Sequence, residues 1–441
     1  MQTRFDARQL ADPDTAEAEK VLRKCVHCGF CIATCPTYVL LGDELDSPRG
    51  RIYLIKDMLE QDRPATEKVV RHLDRCLSCL ACMTTCPSGV HYQHLIDHAR
   101  VHVERTYRRP LAQRLLRALL AKVLPYPSRL RFALRVALLI PQALRSSPLI
   151  PAPLRAMLQL AGPYGTVARA AVTAPSALMP PPCAVRGRIA LIVGCAQGVL
   201  TPGTHAATQR LLVRAGWEVV LVSGCCGALV HHLGRRAEAH AFAARLIEKL
   251  RATSAAGELT AVVVNASGCG TQLKDYGFLL RNDPPLAADA ARFSALSRDI
   301  TEVLAQSPLP VQPLAQRPVI AYHSACSMQH GQKLDAVPRR LLREAGFEVR
   351  EIAEGHLCCG SAGSYNILQP QIATQLRERK LANIERTGAA VVATGNVGCI
   401  VQLQAGGARS MPVVHTVELL DWACGGPRPA ALRISSPADS A

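Results

Sequence analysis

Acidic residues are missing from the middle of this 441-residue chain. No Asp or Glu occurs between Glu104 and Glu218, whereas arginine recurs throughout the same stretch. Aromatic residues are also scarce, since Phe, Trp and Tyr together make up 4% of the sequence. Single-stranded nucleic acids bind largely by stacking their bases on aromatic side chains. The scarcity therefore argues against a nucleic-acid partner, despite a net charge of +17.

Segments that direct a chain into or across a membrane are also missing. The N-terminal residues MQTRFDARQLADPDTAEAEK contain no apolar core of a signal peptide. No uncharged apolar run reaches the roughly 18 residues of a membrane-spanning helix. We therefore expect a cytoplasmic protein whose thiols stay reduced. Neither a G-x-G-x-x-G after a strand nor a Walker loop is present, so we expect no flavin or nicotinamide site in this chain.

Cysteine, by contrast, is abundant, with 18 residues. Two complete C-x2-C-x2-C-x3-C-P runs occupy residues 25–36 and 76–87. This spacing binds [4Fe–4S] cubanes: three thiolates on a tight loop hold one cluster, and the fourth reaches the neighbouring cluster. Structural zinc sites instead combine short cysteine pairs from separate segments. The runs therefore predict two [4Fe–4S] clusters.

The spacing also predicts which cysteines share a cluster. One cluster is expected on Cys25, Cys28, Cys31 and Cys86, and the other on Cys76, Cys79, Cys82 and Cys35. Helices are expected over residues 1–24 (capped by Asp14 or Thr15), 51–59, 67–73 and 91–107. Residues 1–104 are thus predicted to form an all-α ferredoxin-type domain around the two clusters.

Residues 105–187 are predicted to form an Arg/Pro-rich helical linker or docking segment. Its arginines include Arg108, Arg109, Arg114, Arg117, Arg129, Arg131, Arg135, Arg145, Arg155 and Arg169. Its leucines at 115, 116, 119 and 120 share one helix face. The pattern fits a surface that docks an anionic partner, either a membrane leaflet or an acidic subunit. It fits equally a solvated basic linker whose leucines pack on their own domain.

The rest of the chain is an internal duplication of a strand–helix pattern. Residues 210–219 (RLLVRAGWEV) match residues 340–349 (RLLREAGFEV). We predict two α/β Cys-Cys-Gly repeats with parallel strands, at 188–310 and 311–430, followed by a disordered tail at 431–441. The overall fold class is therefore α+β and multidomain.

Each repeat carries four cysteines where its strands are expected to end. They are Cys195, Cys225, Cys226 and Cys269 in the first repeat, and Cys326, Cys358, Cys359 and Cys399 in the second. Three interpretations stay open: a second metal or cluster site, a redox-active thiol pair, or cysteines that pack as small apolar residues. The histidines near these loops are His232, His323, His330 and His356. Cys183 and Cys424 match no pattern and are interpreted as structural.

Together, the two cysteine runs, residues 41–51 (LGDELDSPRGR) and the paired Cys-Cys-Gly repeats resemble the iron–sulfur subunit of bacterial glycolate oxidase (glycolate dehydrogenase). The resemblance covers nearly the whole chain, and the Arg-rich middle is its least distinctive part. It implies a cytoplasmic complex at the inner face of the cell membrane, in which FAD-containing partner subunits oxidise glycolate to glyoxylate. This chain would hold no catalytic residue and would pass electrons to a quinone-like acceptor.

Related architectures provide the alternatives. They are the iron–sulfur subunits of D-lactate or glycerol-3-phosphate dehydrogenases, and thiol-redox proteins similar to heterodisulfide reductase. The cluster-binding form of the Cys-Cys-Gly domain ends in C-x2-C, but Gln272 and Gln402 stand at that last position here. We therefore expect two cubanes rather than three or four.

Overall fold

The computed structural model describes residues 1–433 except 142–143, 145–146, 148, 160, 162–184, 308, 315 and 407–410. The expected fold class is confirmed: a helical N-terminal region precedes two α/β units, each with a parallel sheet. The last part of the linker, Cys183 and residues 434–441 of the expected tail lie outside the described residues. The short helix Ala430–Arg433, with Leu432 buried, shows that the described fold extends beyond residue 430.

The N-terminal region consists of short helices that surround the two cysteine runs. They are Ala7–Leu10 (α1), Pro13–Lys24 (α2), Pro36–Leu41 (α3), Pro48–Glu60 (α4), Glu67–Asp74 (α5), Ala81–Thr84 (α6) and Tyr92–Thr106 (α7). The expected helix over residues 1–24 is in fact two helices, and α2 is capped by Asp12 rather than by Asp14 or Thr15. Asp12 accepts a hydrogen bond from the Thr15 amide, and Pro13 occupies the first helical position, where its missing N–H costs nothing.

The Arg-rich segment begins with two amphipathic helices, Leu111–Val123 (α8) and Pro127–Leu139 (α9). One face packs inward through Leu120, Leu130 and Leu134. The other face leaves large apolar side chains in solvent: Leu111, Leu115, Leu119, Phe132, Val136 and Leu139. No helix among the described residues is both long and apolar enough to cross a bilayer.

The first repeat contains four parallel strands: Gly187–Val193 (β1), Trp217–Ser223 (β2), Ala261–Val264 (β3) and Ser297–Asp299 (β4). Their order in the sheet is β2-β1-β3-β4. The helices between and after them are Gln197–Leu200 (α10), Pro202–Arg214 (α11), Ala228–His232 (α12), Arg236–Ala255 (α13), Ser267–Lys274 (α14), Tyr276–Leu279 (α15), Pro284–Leu296 (α16) and Ile300–Leu304 (α17).

The second repeat has the same topology. Its strands are Ile320–Tyr322 (β5), Val349–Arg350 (β6), Val391–Thr394 (β7) and Val413–His415 (β8), in the order β6-β5-β7-β8. Its helices are Ala336–Glu344 (α18), Tyr365–Leu368 (α19), Pro370–Glu385 (α20), Val397–Gln404 (α21), Thr416–Ala423 (α22) and Ala430–Arg433 (α23), and a π-helical turn covers Ser327–Gly331. The matching strand orders confirm the internal duplication.

The two repeats share one hydrophobic core. Helix α11 of the first repeat packs on α22 of the second, and α18 of the second packs on α17 of the first. Leu211, Leu304, Leu341 and Leu420 are fully or almost fully buried in this common core. The repeats therefore form a single body, and the strand ends of both repeats keep fixed positions relative to each other.

The N-terminal region lies across both repeats. Against the first repeat, His94 Nε2 contacts Asp275 Oδ1 at 2.9 Å, and Asp14 pairs with Arg236 and Arg281. Against the second repeat, the Tyr365 hydroxyl donates to the Arg75 carbonyl at 2.9 Å. These contacts hold the cysteine runs against the repeats. We propose the boundaries at residues 104, 187 and 310 as the limits of the units, and the last unit extends at least to Arg433.

Candidate iron–sulfur centres

The two cysteine runs fold into loops of the same shape. In each loop the residue before the second cysteine is left-handed, with φ of 56° at His27 and 49° at Ser78. The residue after that cysteine is left-handed as well, with φ of 86° at Gly29 and 63° at Leu80. Non-glycine residues rarely adopt this conformation, and where they do the strain often marks a functional site. Both loops are therefore shaped for the same kind of ligand.

The loops also bring the fourth cysteine of each run next to the other run. Cys86 lies close enough to Cys25 to raise the pKa of that thiol, after burial as the main cause. On the other side, burial raises the pKa of Cys79 well above its usual range, and the nearby Cys326, Cys35 and Cys76 raise it further. This proximity fits the crosswise ligand sets expected from the spacing. Thiols with such raised pKa values are deprotonated only when a strongly bound cation, such as a cluster iron, takes the place of the proton.

Residues 41–51 form part of a buried network of charged side chains beside Cys35. Asp46 is fully buried and accepts hydrogen bonds from Arg51 at 3.3 Å and Arg75 at 2.6 Å. His72 Nδ1 lies 3.0 Å from the same carboxylate. Arg51 in turn places Nη1 3.8 Å from the Cys35 sulfur. The segment thus positions a buried cation beside a cluster ligand, a role that the sequence alone did not indicate.

The same segment needs its glycine for steric reasons. A Cβ atom on Gly50 would lie 2.1 Å from the Glu44 carbonyl oxygen. Helix α4 therefore starts directly against the turn Glu44–Asp46. Ser47 caps this helix by accepting from the Gly50 amide at 3.0 Å.

The Cys76 end of the second run is held by two residues of α7. The Tyr92 hydroxyl donates to the Cys76 sulfur at 3.8 Å. Arg100 donates to the Cys76 carbonyl at 2.7 Å and to the Ser78 hydroxyl at 2.6 Å. Hydrogen bonds to ligand sulfurs help to set cluster potentials.

Replacing Tyr92 with phenylalanine is expected to lower the reduction potential of the cluster on this loop. A hydrogen bond contributes roughly 0.5–1.5 kcal/mol, which for one electron is on the order of 20–60 mV. The change is isosteric, so both clusters should stay in place. An EPR-monitored redox titration measures the shift, and Tyr53→Phe, at an exposed tyrosine, is the matched control. Equal potentials in Tyr92→Phe and wild type would show that this hydroxyl does not act on the cluster.

Two cysteines of the second repeat pack against the second run. Cys79 shares an apolar cluster with Cys326 and Cys358. Near this junction His330 Nδ1 lies 2.9 Å from the Thr84 hydroxyl, and its Nε2 lies 3.2 Å from the His356 carbonyl. His330 therefore joins the N-terminal region to the repeat. His356 contributes its backbone carbonyl to this junction.

Two cysteines of the first repeat lie elsewhere, beneath the Arg-rich helices, while Cys226 and Cys269 pack in the core of that repeat. Cys195 and Cys225 have their sulfurs 3.5 Å apart and pack with Ala121 and Tyr126 of the α8–α9 region. Sequence reasoning treated the two repeats alike, and only the structure shows that their sites have different neighbours. Cys424 is buried in the core shared by the repeats, away from both sets.

The two glutamines that replace the expected last cysteine are both buried. Gln402 donates to the Ala373 carbonyl at 3.1 Å and accepts from Asn366 at 3.0 Å. Gln272 Oε1 lies 3.3 Å from His231 Nδ1. In the second repeat the glutamine is therefore used for packing between helices.

A cavity of about 550 Å³ borders the second cysteine run. Cys76 and Ser78 form one wall, Leu116 and Arg117 of α8 form another, and residues of α12 and α19 close it. Its further polar lining includes Arg71, Arg75, Arg100, Tyr107, His232, Ser364 and Tyr365. Nδ1 of His232 is buried without a hydrogen-bond partner. The size is in the range of small-molecule sites.

Comparison with known proteins agrees with this arrangement. Residues 24–90 match the 4Fe-4S dicluster domain, and residues 189–274 and 320–404 each match the Cysteine-rich domain. The chain is 40% identical to the glycolate oxidase iron-sulfur subunit of Escherichia coli (strain K12) over 96% of its own length and 99% of that protein.

The chain belongs to the family of glycolate oxidase iron–sulfur subunits. A second member of this family, the probable subunit of Bacillus subtilis (strain 168), is 32% identical over 92% of the chain and 95% of that protein. The lactate utilization protein A of Bacillus licheniformis is 27% identical but matches only 53% of the chain. Membership confirms the resemblance and the [4Fe–4S] clusters, and it supports an electron-transfer role within an oxidoreductase complex.

Proposed function

We propose that this chain is the electron-transfer subunit of a flavin-dependent glycolate oxidase. It carries electrons from glycolate oxidation in partner subunits through two [4Fe–4S] clusters to a quinone. The observation that supports the proposal is the pair of equivalent cysteine loops, each with the fourth cysteine of the other run close by. When bound, cubanes on these loops supply one-electron steps at nearly fixed geometry. Cys25, Cys28, Cys31, Cys86 and Cys76, Cys79, Cys82, Cys35 are the proposed ligands.

The different exposure of the two loops supports an order in which electrons pass through the two clusters. Cys28 is exposed, and beside it Val26 and Phe30 leave 67% and 64% of their surface in solvent. Exposed apolar side chains around a redox centre are suited to docking another protein. The first run therefore faces the flavin-containing partner, and the second run, enclosed by the repeats, receives electrons from it.

The cavity beside Cys76 fits the acceptor. Leu116 and Leu233 offer apolar surface to a quinone ring, while Arg71 offers positive charge to the negative charge that builds on its oxygens; Arg117 is already paired with Asp74 and Glu104. Reduction of a quinone to a quinol takes two electrons, one at a time through the clusters, and two protons from water. His232, whose buried Nδ1 has no hydrogen-bond partner, lies in the wall of this cavity.

The exposed apolar faces of the amphipathic helices α8 and α9 support a lipid surface beside this cavity. Leu116 and Arg117 line the cavity, whereas Leu115 and Leu119 on the same helix point to solvent. The surrounding arginines lack acidic neighbours in sequence, which favours the anionic inner leaflet of the cell membrane. Membrane-dissolved quinone would enter along this helix.

Filling the cavity at Leu116 is expected to impair quinone reduction selectively. Leu116→Trp should raise the KM for a quinone offered in anionic vesicles by about tenfold, which corresponds to roughly 1.4 kcal/mol of lost binding. Electron transfer to a small soluble dye should stay within about twofold of wild type. Steady-state assays of the assembled complex with the two acceptors measure both effects.

Leu115→Trp is the matched control, because the neighbouring side chain points away from the cavity. Tryptophan is itself favoured at a membrane interface, so Leu115→Trp keeps the apolar outer face and should leave both acceptors unaffected. An equal loss with quinone and with dye in Leu116→Trp would mean that the cluster rather than the acceptor site was disturbed. Unchanged quinone kinetics would remove this cavity from the proposal.

Purification with an affinity tag on this chain tests the partner and the substrate. Flavin-containing subunits should be retained, and their complex should oxidise glycolate in preference to D-lactate and glycerol 3-phosphate. The isolated chain should oxidise none of the three. A complex that acts only on D-lactate or glycerol 3-phosphate would replace glycolate by one of the alternative substrates.

A further inference from the structure

The two repeats differ at the positions that face their cysteines. Their cysteine loops correspond closely: Gly227 and Gly360 both have positive φ, and a Cβ on either would meet the carbonyl oxygen of a helix alanine, Ala239 or Ala373. This correspondence aligns α13 with α20, and the strand sequences IALIVGC and IAYHSAC align β1 with β5. Residues of the two sites are therefore comparable one by one.

The first difference is in the strand. Ile192 of β1 belongs to the apolar core of the first repeat and is buried. The matching residue after β5 is His323, which is also buried, with 1% of its surface exposed. Neither ring nitrogen of His323 has a hydrogen-bond partner. Burying an imidazole with both nitrogens unpaired is costly, so the site has a use for them.

The second difference is in the helix. Leu246 of α13 packs in the same apolar core as Ile192. The matching residue of α20 is Lys380, which is 2% exposed and donates to the Glu354 carbonyl at 2.8 Å. Lys380 lies within electrostatic range of Cys326, Cys358 and Cys359. At these two matched positions the second repeat thus has a histidine and a cation facing its cysteines, whereas the first repeat has the aliphatic side chains of Ile192 and Leu246.

The unpaired imidazole lies against two thiols. The ligand atoms of His323, Cys359 and Cys399 are all within 4.8 Å of one another, and all three residues are buried. Among the described residues, the four cysteines of the first repeat form no comparable group of three. We propose that the second repeat holds one divalent transition-metal ion on Cys359, Cys399 and His323, and that the first repeat holds none.

The donor set fits this class of metal. Two thiolates and a neutral imidazole are ligands of zinc and of ferrous iron, whereas magnesium and calcium prefer oxygen. Two thiolates also balance the charge of a divalent ion in a buried site. Cys358, next to Cys359, is available as a further thiolate, and the Lys380 ammonium offsets the charge that it would add. The histidine takes the place of the thiolate that Gln402 does not provide.

Metal analysis of the full-length chain, purified without oxygen, tests the proposal. Wild type should contain one zinc or iron in addition to the roughly eight iron atoms and eight sulfides of two cubanes. His323→Ile, which copies the first repeat, should lose this extra ion and keep all the sulfide. His323→Cys should retain the ion, because a thiolate replaces the imidazole. His356→Gln, at a nearby histidine outside the group, should behave like wild type.

X-ray absorption on the wild-type protein gives a reading that needs no variant. After the extra ion is exchanged for cobalt, the cobalt edge should show sulfur and nitrogen ligands together. Absence of a metal beyond the cubane iron, or sulfur ligation alone, would overturn the proposal. Sulfide near twelve per chain would also overturn it, since it would indicate a third cubane. None of these outcomes depends on which 2-hydroxy acid the complex oxidises.

Discussion

Cys86→Ser is expected to remove the cluster of the first cysteine run, although Cys86 belongs to the second run. Cys86 is placed beside Cys25, and the loop of the first run has only three cysteines of its own for that cluster. Iron content should fall from about eight to about four atoms per chain. Electron transfer from the flavin partner should fall by at least about 100-fold, because the outer centre of the relay is gone.

EPR spectroscopy identifies which cluster is lost. The surviving signal should be the one whose potential shifts in Tyr92→Phe, since Tyr92 contacts Cys76 of the second run. Cys35→Ser should give the reciprocal pattern. Cys424→Ser, a buried cysteine outside both sets, should keep all the iron. If Cys86→Ser instead abolished the Tyr92-sensitive signal, each run would bind its own cluster and the crosswise arrangement would be wrong.

Neutralising Asp46 should cost the protein about 3–5 kcal/mol of stability, the range for breaking a buried ion pair. The fully buried carboxylate holds Arg51 and Arg75, and Asp46→Asn leaves both guanidinium groups without their counter-charge. The second cluster should be lost first on denaturation, because Arg51 also contacts Cys35. Anaerobic guanidinium unfolding, followed by circular dichroism and by cluster absorbance, measures both effects.

Asp43→Asn provides the comparison for Asp46→Asn. Asp43 is exposed and only accepts from the Leu45 amide at 2.9 Å, so its replacement should cost less than about 1 kcal/mol. A similar loss in the two variants would show that the buried network around Asp46 adds little. A stable Asp46→Asn protein with both clusters intact would contradict the role assigned to residues 41–51.

Features encoded within a few residues were predictable from the sequence. The cluster loops follow from cysteine spacing, and the two α/β repeats follow from the duplicated strand–helix pattern. The cap of α2 was placed wrongly because Asp12, Asp14 and Thr15 are all plausible caps, and only the structure shows which side chain reaches a free amide. The sequence therefore predicted the type of each element better than its first and last residues.

Long-range proximity was not predictable. The proximity of Cys79 to Cys326 brings together residues far apart in the chain, and no periodicity in the sequence predicts it. Aligning the repeats does pair His323 with Ile192, so the sequence held a signal. Its meaning depended on finding both ring nitrogens unpaired beside Cys359, which requires side-chain positions. The cavity beside Cys76 likewise exists only where three regions of the fold meet.

The most direct test of the account is rapid-freeze EPR of the assembled complex after glycolate is added. Both clusters of this chain should become reduced, the Tyr92-sensitive cluster after the other, with about eight sulfides per chain. The isolated chain should show no reduction by glycolate. Clusters that stay oxidised while the flavin subunits turn over glycolate, or sulfide near four per chain, would contradict an electron path through two cubanes.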